Sequence, residues 1–333
     1  MTKSSDCFTP DFKPTPYWWD ASPRQPDTSV ALPSSADVVI IGAGYTGLSA
    51  ALYLAERGLR VAVLEIGTVN WELDTIKRLE LDKANGFDLV VQGYAGGDAS
   101  RIAFQGGEAD VVVADWIWTA RQRAAGKDFT TFPYSTAVGG LVVPAESAVQ
   151  TLADLDGAKV GIAGGPLDKS WLILRAYAQQ QYGFDLFGAT EQVYGAPPLI
   201  FKSGLSGEVD GAINFWHFMA KMKSAGMRQI ISVAEAAEAL GLDPETPLLG
   251  YVLKDEFVAA HPEIALGFIA ASRAAKEVLA QNDSAWEVLR PRMNANSDEQ
   301  FAALRDDWRA GIPAVGPVDE VAAGAMLAVM ASL

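Results

Sequence analysis

Cysteine and histidine are nearly absent from this chain, which has one cysteine, Cys7, and two histidines, His217 and His261, among 333 residues. A single cysteine forms no disulfide within the chain, and so few cysteines and histidines cannot supply a Cys/His zinc cluster. Neither histidine lies near a motif for a catalytic nucleophile. The sequence therefore predicts no metal site, and we assign no catalytic residue.

Long apolar runs and an excess of positive charge are missing as well. No stretch approaches the roughly 18 apolar residues that a membrane helix needs, so we expect no membrane-spanning segment. The formal net charge is −15 and the isoelectric point about 4.6. A surface of that sign repels phosphate backbones, so we expect no nucleic-acid partner. Residues 1–35 contain no apolar core of a secretory signal and are interpreted as an extended leader.

A glycine-rich turn follows the first apolar segment. Residues 37–47 read Asp-Val-Val-Ile-Ile-Gly-Ala-Gly-Tyr-Thr-Gly, and a helical pattern and a second strand ending in Glu65 come next. This is the G-x-G-x-x-G fingerprint of a Rossmann-type βαβ unit with its acidic residue. Gly42 permits the tight turn, Gly44 lets the backbone approach a pyrophosphate, and Gly47 lets the helix pack closely. Glu65 would accept hydrogen bonds from ribose hydroxyls.

The stretch from Pro16 to Glu65, with its Tyr-Trp-Trp leader, resembles the start of flavin-dependent amine and amino-acid oxidoreductases of the D-amino-acid-oxidase type. The resemblance implies an FAD site at the glycine motif. It stops at Glu65, because neither the Gly/Ser-rich segment that follows in those enzymes nor their C-terminal flavin segment has a counterpart here. We therefore expect a partial unit that binds no cofactor tightly, with FAD as the alternative.

From Ile66 onward, short apolar segments alternate with amphipathic ones, which is typical of a parallel α/β sheet. One apolar run, Val61–Val69, serves both as the second strand of the βαβ unit and as the first strand of this region. The pattern predicts further strands at 87–94, 108–115, 138–144, 159–163, 212–215 and 248–253, and helices at 72–85, 99–105, 116–125, 170–181 and from 257 onward.

Four short motifs follow one another along this region. Gly-x-x-Asp steps precede strands at 106–110 and 207–210, Leu-Ala-Asp-Leu-Asp-Gly at 152–157 precedes Lys-Val-Gly, and His-Pro-Glu at 261–263 opens the terminal helices. In this order the motifs resemble the substrate-binding proteins of nitrate, sulfonate, taurine and thiamine-precursor ABC importers. The resemblance covers the chain from Ile66 to its end.

The resemblance implies a bilobed α/β fold of the periplasmic-binding-protein-like type II class, preceded by the Rossmann-type βαβ segment. Two hinge strands, near 138–143 and 248–253, would join the lobes. We expect an extended leader at 1–35, a partial FAD/NAD-binding unit at 36–65, lobe 1 at 66–138 and 248–333, and lobe 2 at 139–247.

The resemblance also implies a function, a partner and a location. A small organic ligand would bind between the lobes, and an ABC transporter permease would be the partner if the protein is exported to the periplasm. The missing signal sequence leaves the cytoplasm open, and a fused or misassembled reading frame would also explain it. The alternative function is that of an FAD-dependent oxidoreductase acting on amines or amino acids.

In open α/β sheets, ligands bind beyond the carboxyl ends of strands, where loops enter helix N-termini. This rule nominates the ligand contacts Asn70, Trp71, Tyr94, Asp98, Asp115, Trp116, Gly164, Gly165, Asn214 and Trp216. Aromatic walls favour a flat or apolar ligand, and Asp98 or Asp115 favours a cationic or hydrogen-bond-donating one. Three of these residues also have a structural explanation: Asp98 suits a helix cap, and Trp71 and Trp116 suit a core. Lys169 is the only cation beside Gly164 and Gly165, so we do not expect specificity for anions.

Overall fold

The chain divides into two compact units, Met1–Glu56 and Arg57–Leu333. The computed structural model describes residues 58–333, which lie in the second unit. The leader and most of the βαβ segment, with Gly42, Gly44 and Gly47, lie outside the described residues.

The described residues form two five-stranded sheets. The first has the strand order β2-β1-β3-β10-β4 and the second the order β7-β6-β8-β5-β9. The strands are β1 (Gly58–Leu64), β2 (Asp88–Tyr94), β3 (Val111–Asp115), β4 (Phe129–Ser135), β5 (Gly140–Val143), β6 (Lys159–Ala163), β7 (Glu191–Gly195), β8 (Gly211–Asn214), β9 (Arg228–Ser232) and β10 (Leu249–Lys254).

Both sheets are mixed. In the first, β1 is parallel to β2 and β3, whereas β10 is antiparallel to β3 and β4. In the second, β6 is parallel to β7 and β8, whereas β5 is antiparallel to β8 and β9. Each sheet with its helices forms a lobe, named the first and second lobe below.

Helices connect the strands and cover the sheets, as expected for parallel strand pairs. They are α1 (Val69–Arg78), α2 (Leu81–Ala84), α3 (Gly97–Gly106), α4 (Trp116–Ala124), α5 (Lys169–Tyr182), α6 (Leu186–Ala189), α7 (Pro197–Ser206), α8 (Trp216–Ser224), α9 (Val233–Ala239), α10 (Asp255–Ala260), α11 (Pro262–Gln281), α12 (Ser284–Glu287), α13 (Arg290–Met293), α14 (Asp298–Ala310) and α15 (Glu320–Ala331). A short 3-10 helix spans Leu152–Leu155.

The central strands are apolar at nearly every position because both faces of each sheet are covered. In β1, Leu59 and Val61 pack in one core cluster with Phe268 of α11. Ala62 points to the opposite face and packs with Phe104 of α3. This two-sided burial explains why the strands appear in the sequence as continuous apolar runs rather than alternating ones.

Three connections join the lobes. The chain leaves β4 through Thr136–Gly139 to enter β5, and it returns through residues 240–248 to β10. A third connection, residues 311–319, carries the chain from α14 to α15, where Met326 and Met330 pack in the core of the second lobe. The first two lie beside the predicted hinges. The third was not predicted, and α15 packs on the second lobe although lobe 1 was expected to run to residue 333.

The structure corrects the prediction at the start of the first lobe. The predicted strand Val61–Val69 ends at Leu64, and Val69 begins α1, where it is buried. The strand Gly58–Leu64, which the sequence analysis assigned both to the βαβ unit and to the region after it, pairs with β2 and β3 in the first sheet. No helix among residues 58–333 is long and apolar enough to cross a membrane.

Candidate ligand-binding cleft

In each lobe, several helices begin at the same end of the sheet, where parallel strands have their carboxyl ends. In the first lobe α1, α3 and α4 follow the carboxyl ends of β1, β2 and β3, and in the second lobe α5, α7 and α8 follow β6, β7 and β8. These ends of the two sheets lie near each other, because side chains from the two lobes make direct contacts there. This is where an open α/β sheet binds its ligand.

Asp115, at the end of β3, is the centre of one contact between the lobes. Its Oδ1 accepts the backbone N–H of Trp118 at 2.8 Å and caps α4. Its Oδ2 accepts hydrogen bonds from Lys169 Nζ of the second lobe at 2.8 Å and from Arg101 Nη2 of α3 at 3.2 Å. Two cations therefore surround one carboxylate, and one of them, Arg101, also lies 3.6 Å from Asp98 Oδ1.

The charges and hydrogen bonds around Asp115 explain why its carboxyl group is ionised. Burial on its own would raise the pKa of Asp115, whose side chain is only 6% exposed. The charge and hydrogen bond of Lys169, with the Trp118 N–H and Arg101, outweigh burial and lower that pKa. The carboxylate is therefore ionised at neutral pH, and its charge is already compensated by the protein. The sequence analysis expected Asp98 or Asp115 to favour a cationic or hydrogen-bond-donating ligand, and the compensated charge of Asp115 does not favour a cationic one.

A second contact between the lobes is aromatic. Trp71, in the first turn of α1, meets Trp216, the first residue of α8, edge to face, with ring centroids 5.9 Å apart and an interplanar angle of 88°. Trp71 also packs against Trp286 of α12 at 5.9 Å. Near this contact, Lys221 Nζ of α8 donates to the carbonyls of Met293 and Asn294. Aromatic rings thus close one part of the cleft and charged groups another.

Asn70 holds the loop that leads into α1. Its Nδ2 donates to the carbonyl oxygens of Leu64, Glu65 and Gly67 at 2.9–3.2 Å. Its amide hydrogens are therefore used within the protein, and the side-chain oxygen is the group left for a ligand.

Asn214 has the same kind of role in the second lobe. Its Nδ2 donates to the carbonyl of Pro197 at 2.9 Å, and its Oδ1 accepts the N–H of Phe215 at 2.8 Å. The carbonyl of Asn214 lies against the connection between the lobes, because a Cβ on Gly139 would stand 1.9 Å from that oxygen. The strand end and the connection fit together only with glycine at position 139.

Gly164 and Gly165 form the turn between β6 and α5. Their φ angles of +98° and +123° disfavour any residue with a side chain. The Gly164 N–H donates to the carbonyl of Gly195, and Gly165 is buried with no atom within 4 Å of where a Cβ would lie. The turn places Asp168 as the cap of α5 and Lys169 beside Asp115.

Two polar side chains at helix starts have unmet hydrogen-bonding groups. The indole N–H of Trp116 is buried without a partner at the first residue of α4. His217, in the first turn of α8, is 8% exposed, and neither of its ring nitrogens has a partner. Burial, with a smaller effect of the Lys221 charge, lowers the pKa of His217 to about 3, so the ring is neutral. Buried polar groups without partners are uncommon in folded proteins and mark candidate ligand contacts.

The remaining predicted residues lie at the rim. Tyr94 ends β2, and its hydroxyl lies 3.4 Å from Gln92 Oε1. Asp98 is 96% exposed in the first turn of α3, 3.6 Å from Arg101 Nη1, and its side chain makes no cap hydrogen bond. Glu65, the predicted ribose contact, is exposed directly after β1, and its backbone N–H donates to Tyr94 O.

The structure brings Asp115 to Lys169 and Trp71 to Trp216, and it links Asp98 to Asp115 only through Arg101. Arg101 is the residue that the sequence analysis missed. It lies inside α3, an ordinary amphipathic helix, so no local pattern marks it. Among residues 58–333 no group of three or more His, Cys, Asp or Glu is arranged to hold a metal ion.

Comparisons with known proteins match two parts of the chain to two different families. A family model described as NMT1/THI5 like matches residues 83–285. A model described as FAD dependent oxidoreductase matches residues 37–72. Gamma-glutamylputrescine oxidoreductase of Escherichia coli (strain K12) is 37% identical over 79 residues, which cover 22% of this chain. The chain spans only 18% of the length of that relative.

Solved structures share the fold of the larger region. The periplasmic aliphatic sulphonate binding protein SsuA from Escherichia coli matches with a TM-score of 0.64 at 18% identity, over 83% of this chain and 86% of that one. The alkanesulfonate-binding protein SsuA from Xanthomonas axonopodis pv. citri, bound to MOPS, matches with a TM-score of 0.62 at 18% identity, over 82% and 90%. The predicted bilobed, periplasmic-binding-protein-like α/β fold is confirmed.

Proposed function

The chain belongs to the NMT1/THI5-like family, and from this premise we propose that it captures a small organic solute between its two lobes. The observation that carries the proposal is the pair of contacts across the cleft, Asp115 with Lys169 and Trp71 with Trp216. Both pairs lie where strand ends meet helix N-termini, which is the usual ligand position in such sheets. A solute that enters between the lobes has to replace or bridge these contacts.

The side chains favour a ligand with two different ends. Trp71 and Trp216 offer ring faces and edges to a flat or apolar body. Lys169, Arg101 and the unmet N–H of Trp116 offer donors to a polar or anionic head. Since Asp115 is already paired with both cations, a cationic head would have to displace one of them, so we propose a neutral or anionic hydrogen-bond acceptor.

The structural relatives support this class of ligand by analogy. Two of them are described as binding aliphatic sulphonates or alkanesulfonates. Their sequence identity to this chain is 18%. The analogy therefore supports where the ligand binds and not which molecule it is. We propose further that the solute is delivered to an ABC importer, which would place the working protein in the periplasm.

The experiment is a thermal-shift and calorimetric panel with an aliphatic sulfonate, an aliphatic amine and an aminopyrimidine, using the full chain. Binding without turnover is expected, with stabilisation that grows with ligand concentration by mass action. Lys169→Met and Trp216→Ala are expected to weaken binding about tenfold or more, because each removes a side chain that contacts one end of the ligand.

Lys202→Met is the matched control, since Lys202 is an exposed lysine on α7 of the same lobe. Its affinity is expected to equal that of the unmodified protein. Equal affinities in Lys169→Met, Trp216→Ala and the control would place the ligand outside this cleft and reject the proposal. A panel without any thermal shift would reject it too.

A second candidate function rests on the match of residues 37–72 to FAD dependent oxidoreductases. In this reading Gly42, Gly44, Gly47 and Glu65 hold the dinucleotide part of FAD, and the substrate is an amine or amino acid. The visible absorbance spectrum of the purified chain tests it. A flavin spectrum retained through gel filtration supports this function, and a colourless protein that takes up no added FAD excludes it.

A further inference from the structure

Residues 58–72 resemble one family by sequence and belong to the fold of another in the structure. They lie within the match to FAD dependent oxidoreductases, residues 37–72, and outside the match to the NMT1/THI5-like family, residues 83–285. In the structure they form β1, the loop after it and the first turn of α1 in the first lobe. The strand that ends in the acidic residue of the βαβ fingerprint is therefore also a strand of the bilobed fold.

A dinucleotide site of the Rossmann type requires this strand in a defined place. The glycine strand and the strand that ends in the acidic residue are neighbours in one sheet, so that the glycine turn and the acid reach the same nucleotide. A strand has two edges, and each edge pairs with one neighbouring strand. The strand 58–64 can contribute to such a site only if one of its edges is open to the apolar segment 37–41.

One edge of β1 is occupied by β2 along its whole length. Each residue from Gly58 to Leu64 has a partner in the parallel strand Asp88–Tyr94. The pairing continues one residue further, because the backbone N–H of Glu65 donates to the carbonyl of Tyr94 at 2.9 Å. Within residues 58–333, β2 is an edge strand whose neighbour in the sheet is β1. This edge of β1 is closed, and β2 depends on it for its strand pairing.

The other edge of β1 is held by β3. The two strands pair in parallel at Val61 and Ala62. Just before these residues, the backbone N–H of Asp110 donates to the carbonyl of Arg60 at 2.9 Å. The Asp110 carboxylate in turn accepts hydrogen bonds from the backbone N–H and the guanidinium of Arg60 at 2.7–2.9 Å. The strand pairs and this ion pair close the edge that a glycine strand would need.

Both faces of β1 are covered as well. Leu59, Val61 and Val63 are at most 1% exposed and lie in one core cluster with residues of α1 and α11. Ala62 is fully buried on the opposite face, in a cluster with Phe104 of α3. The helix of a βαβ unit packs against the strands that it joins. Neither face of β1 is uncovered for such a helix.

The start of α1, which the oxidoreductase match also includes, has contacts of its own in the bilobed fold. Trp71 meets Trp216 of the second lobe with ring centroids 5.9 Å apart. Glu72 is fully buried, and its carboxylate is paired with the ammonium of Lys276. These side chains are used in contacts with distant parts of the binding-protein fold.

We propose that β1 and Glu65 serve the first lobe alone and take no part in binding FAD. The oxidoreductase-like stretch supplies the first strand and the first helical turn of the bilobed fold, and a dinucleotide site cannot include them while this lobe is folded. The residues present therefore do not fit the cofactor that the fingerprint implies. The inference counts against the second candidate function, and it does not depend on which solute the cleft binds.

Hydrogen exchange of the full chain, measured by mass spectrometry with and without excess FAD, tests whether β1 changes partners. The edge strand β2 is the reporter, because it pairs with β1, and the edge strand β7 of the second lobe is the reference. The exchange rate in β2 relative to β7 is expected to be the same with and without FAD. If FAD made exchange in β2 about tenfold faster relative to β7 while β1 stayed protected, β1 would have left its partner and the proposal would be wrong.

A variant tests the position of β1 without any added cofactor. Asp110→Ala removes the ion pair with Arg60 beside β1 and is expected to speed exchange in β1 about tenfold, with β7 unchanged. Unchanged exchange in β1 would show that β3 does not hold this strand in solution, and the proposal would lose its basis.

FAD binding by Glu65→Gln completes the test, with Glu108→Gln as the control because Glu108 is an exposed glutamate of the same lobe outside the fingerprint. Quenching of flavin fluorescence measures the affinity of both variants and of the unmodified chain. All three are expected to behave alike, either without saturable binding or with the same affinity. A loss of about tenfold or more in Glu65→Gln alone, the size of a lost hydrogen bond to a charged group, would overturn the proposal.

Discussion

Lys169 Nζ lies 2.8 Å from Asp115 Oδ2, and this ion pair joins the N-terminus of α5 in the second lobe to the end of β3 in the first. The Asp115 side chain is buried and the Lys169 side chain is 27% exposed. The contact therefore belongs to the state in which the lobes are together, and separation of the lobes breaks it.

We expect Asp115 and Lys169 to be energetically coupled. In a double-mutant cycle with Asp115→Asn and Lys169→Met, the coupling free energy is expected to be about 1–2 kcal/mol, since a buried carboxylate gains more from its partner than an exposed one. Urea unfolding of the four proteins measures it. If the two single effects added to within about 0.3 kcal/mol, the pair would contribute nothing to stability.

His217 is expected to make stability depend on pH. Its pKa is about 3 in the folded protein because the ring is buried, whereas an unfolded histidine has a pKa of about 6.5. Between these values the unfolded chain binds a proton that the folded protein excludes. The free energy of unfolding is therefore expected to fall by about 1.4 kcal/mol for each unit that the pH drops from about 6.5 toward 3.

The chain offers a matched control for this effect, because His261 is its other histidine and has a side chain that is 39% exposed. Urea unfolding between pH 4 and 7 is compared in His217→Leu and His261→Leu. His217→Leu is expected to remove the contribution of His217 to the pH dependence of the free energy of unfolding. His261→Leu is expected to keep that contribution. Identical slopes in both variants would show that His217 is not responsible.

A buried ion pair in the first lobe gives a third prediction. Glu72 is fully buried, and its carboxylate accepts hydrogen bonds from Lys276, Ser272 and Tyr251. Glu72→Met leaves the buried Lys276 ammonium without its partner and is expected to cost about 3–5 kcal/mol in the free energy of unfolding. The double variant Glu72→Met/Lys276→Met is expected to cost less than the single one, because no uncompensated charge is left.

Chemical unfolding measures these values, and an exposed pair serves as reference. Lys159 Nζ lies 3.7 Å from Glu191 Oε1 at the surface, so Glu191→Met is expected to cost less than about 1 kcal/mol. A double variant at least as unstable as Glu72→Met alone would contradict the idea that the unpaired charge causes the loss.

Gly139 gives the fourth prediction. A Cβ at this position would lie 1.9 Å from the Asn214 carbonyl oxygen, so Gly139→Ala has to move either the connection between the lobes or the end of β8. We expect a loss of about 3 kcal/mol or more in the free energy of unfolding. Gly97→Ala is the control, because no atom lies within 4 Å of its added Cβ, and thermal unfolding of both variants distinguishes a local clash from a general intolerance of alanine.

The sequence predicted the interior strands of both sheets and one edge strand, β2, but missed the other three edge strands. The strand 159–163 was predicted at its observed bounds, and 87–94 differs from β2 by one residue. Three strands were missed, for physical reasons that the structure makes clear. β4 contains Pro133 and lies at the edge of its sheet, and β7 and β9 are edge strands with only partly buried residues. Edge strands bury less apolar area and so leave a weaker pattern.

The structure places several of the predicted contact residues at strand ends, whereas their hydrogen-bond partners could not be predicted from the sequence. Asn70, Asp115 and Asn214 all lie at or just beyond strand ends, as the rule for α/β sheets requires. Their hydrogen-bonding groups are largely used within the protein, by loop carbonyls, by Lys169 and Arg101, and by Pro197 and Phe215. For Asp115 and Asn214 no local pattern shows this, because Arg101, Lys169 and Pro197 lie elsewhere in the chain, whereas the partners of Asn70 are its near neighbours in sequence.

The sequence by itself determined the fold class, since the alternation of apolar and amphipathic segments requires sheets covered by helices, and it determined where strands meet helix N-termini. Only the tertiary structure decided which of these ends face each other, how the charge of Asp115 is compensated, and that α15 packs on the second lobe. The physical reason is the distance along the chain between interacting residues. The periodicity of a segment reflects only the burial of that segment. A cleft is formed by contacts between residues far apart in the chain, and these contacts exist only when both lobes have folded.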